Sequence, residues 1–177
     1  MATINNLDFA LTDGSGQNYW MAQGLMAHQM KLIFTKGADK YDRMDLLRDG
    51  VVTSSVQCPK QGIVPHDMIH FAVESTLHLR GYMTRALAGD DSGYRMAATP
   101  ESDGVERLVE VIQADGWSGW TSDPAAMLDL YRVTCEARDC SPVPIAADDL
   151  LAVRERILEL TSAWQKLSVG DSLTLDF

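Results

Sequence analysis

Cysteine is scarce in this sequence, which contains only Cys58, Cys135 and Cys140 among its 177 residues. The odd count and the lack of a Cys-x-x-Cys pair argue against a disulfide framework and against a zinc ribbon. Reduced thiols in a cytoplasmic protein are the simplest interpretation, so a cytoplasmic location is expected.

Positive charge is scarce as well. Fifteen Lys and Arg residues stand against 25 Asp and Glu, a formal net charge of −10. This acidic field repels a phosphate backbone and an anionic membrane surface, so neither nucleic-acid binding nor membrane binding is expected. No apolar run approaches the ~18 residues of a membrane span. The basic segment and apolar run of a secretory signal are also lacking, so no such signal is expected.

The chain has the composition of a folded domain, with 46% hydrophobic and 23% charged residues. Residues 1–29 contain no Lys or Arg, and we expect them to form an N-terminal extension. Residues 30–177 are then expected to form a single α+β domain.

Alternating and β-branched residues predict strands at 31–35, 41–48 and 51–57. Asp49-Gly50 between the last two is typical of a type I′ hairpin turn, which needs positive φ at both central residues. A final alternating segment, 172–177, predicts a strand that returns to the sheet. We therefore expect an antiparallel sheet of three to four strands.

Helical periodicity predicts about four helices packed against this sheet. Pro65 and Asp67 suit the start of the first helix, through the fixed φ of proline and the helix macrodipole. We expect this first helix to be central in the fold. The predicted helices span about 65–88, 100–114, 124–138 and 146–167.

The first helix carries the best candidate site, His66-Asp67-Met68-Ile69-His70. Histidines four residues apart lie on one helix face and can share a metal ion such as zinc. The pattern resembles the His-Glu-x-x-His motif of zinc proteases, with Asp67 as the candidate general base. Aspartate is one methylene shorter than the glutamate of that motif, which weakens the comparison. The helical wheel places His66, His70 and Glu74 off the core-facing stripe, at the polar rim.

Glu74 lies about 12 Å along the helix axis from His66, too far for both to bind one ion. We therefore expect Glu74 to hydrogen-bond His70 as an outer-shell partner. The third ligand stays open among His28, His78, Cys58 and an acid on a later helix. Cys58 is also a weaker candidate for a thiolate nucleophile with a histidine base.

The segment from Val64 to Glu74 resembles a stretch of uncharacterised bacterial proteins, Leu/Val-Pro-His-Asp-x-x-His-Phe-x-Val-Glu. In those proteins a helix ending in Ala-Ala-Gly follows, and this sequence departs from that ending at Leu87. The resemblance covers about residues 30–93 and implies a shared fold and a shared site. No activity is attached to that family, so it implies no function.

Two functions follow as hypotheses. The first is a non-catalytic domain that binds a small ligand or a protein partner, with its site at His66 and His70. The alternative is a metal-binding protein, and a metal-dependent hydrolase is the catalytic form of this alternative. No nucleotide-cofactor motif is present. A homodimer is expected, since the extension or an edge strand can pair between chains.

Overall fold

The sheet forms where alternation and turn residues predict it. The computed structural model describes residues 30–89 and 99–177. Its four strands pair antiparallel in the order β3-β2-β1-β4, so the last strand returns to the sheet beside β1. The predicted α+β class and antiparallel sheet are confirmed. The strands are β1 (Met30–Thr35), β2 (Tyr41–Arg48), β3 (Val51–Pro59) and β4 (Ser172–Asp176).

The hairpin between β2 and β3 has the turn that its sequence predicts. Asp49 and Gly50 have φ angles of 51° and 78°, the positive values that a type I′ turn requires. The pairing register shifts between Leu46 and Leu47. Such a bulge bends the strand locally and increases its twist.

Five helices lie in the described part of the chain, one more than predicted. The additional helix arises because the predicted helix at 65–88 is divided in two. The prediction of one continuous helix there is wrong. The helices are α1 (His66–Leu77), α2 (Tyr82–Ala88), α3 (Pro100–Trp117), α4 (Pro124–Ala137) and α5 (Ala147–Gln165).

The division occurs between His78 and Gly81. His78 ends α1 in the left-handed conformation, with φ 53°. Gly81 begins α2, and a Cβ atom there would lie 2.6 Å from the carboxyl group of Glu74 and 2.6 Å from Val105 Cγ1. Real Cβ atoms do not approach that closely, so the corner depends on glycine at this position.

The core lies between the helices and one face of the sheet. Leu32, Phe34, Met44 and Leu46 point into it from β1 and β2 and are at most 1% exposed. α1 contacts α2, α3, α5 and β3, which makes it the central helix, as predicted. No helix among residues 30–89 and 99–177 is long and apolar enough to cross a membrane.

A buried ion pair joins α3 to α5. Asp115 is 2% exposed, and Arg154 Nε donates to its Oδ2 at 2.8 Å. The other oxygen of Asp115 accepts from Ser122 N at 2.9 Å. Each charged group therefore has a partner, which is the condition under which a buried charge is tolerated.

Arg154→Met should destabilise the fold by about 3–5 kcal/mol, because it leaves the Asp115 carboxylate buried without its cation. Arg132→Met is the matched control. Its pair with Asp129 has side chains 63% and 76% exposed, so its loss should cost at most about 0.5 kcal/mol. Urea unfolding measures the change in unfolding free energy for both variants. Equal changes would contradict a stabilising role of the buried pair between Asp115 and Arg154.

Candidate metal centre

The start of α1 directs two imidazole rings at one carboxylate on α3. The ring centroids of His66 and His70 are 4.8 Å apart, as expected for residues one helical turn apart. His70 Nε2 lies 3.1 Å from Glu106 Oε2. His66 Nε2 lies 3.7 Å from Glu106 Oε1. One carboxylate thus faces both predicted ligand residues.

Together these residues form a group that could hold a metal ion. One ligand atom from each of His66, His70 and Glu106 lies within 4.8 Å of the others. Glu106 is the acid on a later helix that the sequence left among its alternatives. Its position beside Val105 and Val109, which are fully buried, was the available signal. An acid next to the apolar stripe of a helix lies at the edge of the core.

The site is more buried than the helical wheel predicts. His70 is 3% exposed and Glu74 is 1% exposed, so the predicted position at the polar rim is wrong for both. α3 packs on this side of α1 and covers it. The side chains of His66 and Glu106 are 27% and 34% exposed, so the cluster still reaches solvent on one side.

Within residues 30–89 and 99–177, two buried ring nitrogens have no hydrogen-bond partner, Nδ1 of His66 and Nδ1 of His70. His70 Nδ1 lies 3.4 Å from Glu74 Oε1, close enough for an ion pair but not aligned for a hydrogen bond. We predicted a hydrogen bond between Glu74 and His70, and the structure has an ion-pair contact in its place.

The proton on His70 offsets part of the negative charge in the site. Burial alone lowers the pKa of His70, but the hydrogen bond with Glu106 and the charges of Glu106 and Glu74 outweigh it and raise the pKa to about 9. Burial likewise raises the pKa of Glu106, but the neighbouring imidazoles of His66 and His70 hold it well below its usual range. Without metal, a charged His70 is thus held between two carboxylates.

Glu74 has a second role, because its carboxylate caps the start of α2. Its Oε2 accepts from Gly81 N at 3.1 Å, Thr84 N at 2.8 Å and Thr84 Oγ1 at 2.7 Å. Its Oε1 accepts from Met83 N at 2.9 Å. Three of these donors are backbone N–H groups at the N-terminus of a helix, which have no partner within the helix and favour negative charge.

Asp67 faces away from the histidine pair. Its Oδ2 accepts from Cys58 Sγ at 3.0 Å, and it is not part of the cluster formed by the two histidines and Glu106. Burial raises the pKa of Cys58 far above its usual range, and the charge of Asp67 raises it further. The raised pKa keeps the Cys58 thiol protonated, whereas a nucleophilic cysteine must be a thiolate.

Neither His78 nor Cys58 joins the cluster. His78 is exposed at the end of α1, and Cys58 is buried beside Asp67. His28 and the predicted extension 1–29 lie outside the described residues. Among the residues that the structure describes, Glu106 alone completes the pair.

Comparison with known proteins adds no relative. The sequence matches no family model, and no curated protein or solved structure matches it. The resemblance around residues 64–74 therefore stays a prediction, and the argument for the site depends on its geometry.

The raised pKa of His70 predicts a pH dependence of the metal-free protein in chelator. The pKa of His70 is about 9 in the folded state, against an ordinary value of 6.5. The folded state therefore binds the proton more tightly than the unfolded state does. The stabilisation is complete below pH 6.5 and is lost as the pH rises through 9, by up to about 3 kcal/mol. Unfolding free energies across this range measure it. His70→Gln should remove the decline and His78→Gln should keep it; a decline that persists in His70→Gln would count against the assignment.

Glu74→Gln should destabilise the fold by about 3 kcal/mol, because the amide nitrogen cannot accept the hydrogen bonds at the start of α2. Glu101→Gln is the matched control, since Glu101 is exposed and accepts a long bond of 3.4 Å from Arg80 N. Its effect should stay within about 0.5 kcal/mol. Chemical unfolding of both variants decides the matter, and a Glu74→Gln protein as stable as wild type would refute the capping role.

Proposed function

We propose that this protein binds a divalent transition-metal ion such as zinc, with His66, His70 and Glu106 as ligands. The observation that carries the proposal is the convergence of these three side chains within 4.8 Å. The sequence favoured a non-catalytic ligand-binding domain. The proposal is likewise of a non-catalytic binding domain, and its ligand is a metal ion.

The spacing of the ligand atoms supports the proposal. A tetrahedral zinc ion with bonds of about 2.0–2.1 Å separates its ligand atoms by about 3.3 Å. The two nitrogen–oxygen distances to Glu106 are 3.1 Å and 3.7 Å. These two distances lie within a few tenths of an ångström of that separation, and all three ligand atoms lie within 4.8 Å of one another.

The donor types restrict the metal. Two imidazoles and one carboxylate suit zinc and other first-row divalent ions, whereas calcium and magnesium prefer oxygen ligands alone. Three protein ligands leave a coordination position for water or a small ligand. The partial exposure of His66 and Glu106 gives that position access to solvent.

The surroundings of His70 also support a metal role. Metal-bound histidines usually direct their other ring nitrogen at a carboxylate or carbonyl, which fixes the ring orientation. Here Nδ1 of His70 faces Glu74 Oε1 at 3.4 Å. Glu74 is itself held by four hydrogen bonds at the start of α2, so it provides a rigid partner.

Hydrolysis lies outside the proposal. It needs a general base within hydrogen-bond reach of a metal-bound water. Asp67, the candidate base of the sequence motif, has an oxygen 3.0 Å from Cys58 Sγ instead.

Protein prepared without a His tag should bind about one zinc ion per chain in equilibrium dialysis. His66→Ala, His70→Ala and Glu106→Gln should each weaken zinc binding by more than the about 10–100-fold typical of losing an outer-shell partner. Zinc at 100 times its Kd should stabilise the wild-type fold by about 2.7 kcal/mol.

His78→Ala and Asp67→Asn are the controls and should leave the zinc stoichiometry unchanged. Metal analysis and calorimetric titration provide the measurements. Substoichiometric zinc that is indifferent to all three ligand substitutions would refute the proposal, and the cluster would then be an ion-pair network between α1 and α3.

A further inference from the structure

The end of α4 brings Cys135 and Cys140 together. Asp139 adopts the left-handed conformation, with φ 53°. Cys140 N donates to Cys135 O at 3.1 Å, and Asp139 N donates to Glu136 O at 3.2 Å. These two bonds define a Schellman motif, in which the side chains of the first and last residues characteristically contact each other. In this motif those two residues are the two cysteines.

The spacing of the backbone suits a disulfide. A direct hydrogen bond of 3.1 Å between Cys140 N and Cys135 O holds the two Cα atoms less than about 7 Å apart. Disulfides span Cα separations of about 4.4–6.8 Å. The two thiols also interact with each other, and burial together with Cys140 raises the pKa of Cys135 to about 11.

The two sulfurs differ in access. Cys135 is fully buried, whereas Cys140 is partly exposed and packs against the edge of the core. An external reagent therefore meets Cys140 first, and Cys135 lies where it can resolve the product. A buried partner behind an accessible thiol is the arrangement of a reversible redox pair.

We propose that Cys135 and Cys140 are a site of reversible thiol oxidation, at which a low-molecular-weight disulfide such as oxidised glutathione links them. This inference is independent of the metal site. The third cysteine, Cys58, takes no part in the thiol oxidation, since its thiol donates a hydrogen bond to Asp67 on a different element.

The exchange proceeds in two balanced steps. The Cys140 thiolate attacks one sulfur of oxidised glutathione, forming a mixed disulfide and releasing one glutathione thiolate. Cys135 then loses its proton to solvent and attacks the Cys140 sulfur, which releases the second glutathione thiolate. The two cysteines are oxidised by two electrons, and one molecule of oxidised glutathione is reduced to two thiols.

The test is oxidation of the folded full-length protein with oxidised glutathione, followed by alkylation and tryptic mass spectrometry. Trypsin cleaves after Arg138, between the two cysteines, so the disulfide should join peptides 133–138 and 139–154. The linked pair should exceed the glutathione adduct on Cys140 by about tenfold, because ring closure within one chain has a high effective concentration. Dithiothreitol should reverse the link.

Variants separate the two steps. Cys135→Ser should accumulate the glutathione adduct on Cys140, and Cys140→Ser should form no adduct on Cys135. The Cys58→Ser variant should form the disulfide between Cys135 and Cys140 as wild type does. In the wild-type protein the peptide that contains Cys58 should stay reduced. The wild-type readout needs no variant to fold. A stable adduct on wild-type Cys140 with Cys135 still reduced, or disulfides only between chains, would overturn the proposal.

Discussion

The buried carboxylate of Glu74 is the group on which the helical layer depends. It is 1% exposed, yet four donors from Gly81, Met83 and Thr84 satisfy it. A charge can lie this deep only when such partners surround it. The partners become available because α1 ends at His78 and the chain turns into α2. The side chain that caps the second helix therefore belongs to the first, and the two helices are fixed relative to each other.

The same carboxylate shapes the candidate metal centre. Glu74 and Glu106 flank His70 at 3.4 Å and 3.1 Å, so the imidazole lies between two negative groups. Such an arrangement favours a positive charge at its centre, which a proton on His70 or a metal ion bound to it can supply. Burial strengthens that preference, because the low dielectric of the interior screens the two carboxylates poorly. Metal and proton therefore compete for one position in the proposed function.

Local chemistry made some elements predictable. Asp49-Gly50 dictates a hairpin because its two residues tolerate positive φ, and the alternation around it dictates which strand faces lie inward. The division of the first helix was not predictable in the same way. Leu79, Met83 and Leu87 keep the apolar spacing of a continuous helix across the break. What ends the helix is a hydrogen-bond set in which Glu74 reaches donors seven to ten residues ahead, and periodicity carries no information about such bonds.

The sequence by itself determined the α+β class, the antiparallel hairpin and the pairing of His66 with His70 on one helix face. These follow from contacts within a few residues, whose geometry is fixed by backbone dihedrals. Only the tertiary structure decided that Glu106 completes the cluster, that Asp67 turns to Cys58, and that His70 is buried. Those outcomes depend on how α3 packs across α1, a contact between segments about 35 residues apart in the chain. The apolar stripe of α3 has more than one acid beside it, since Glu110 also adjoins Val109, and packing selected Glu106 as the one that faces the histidines.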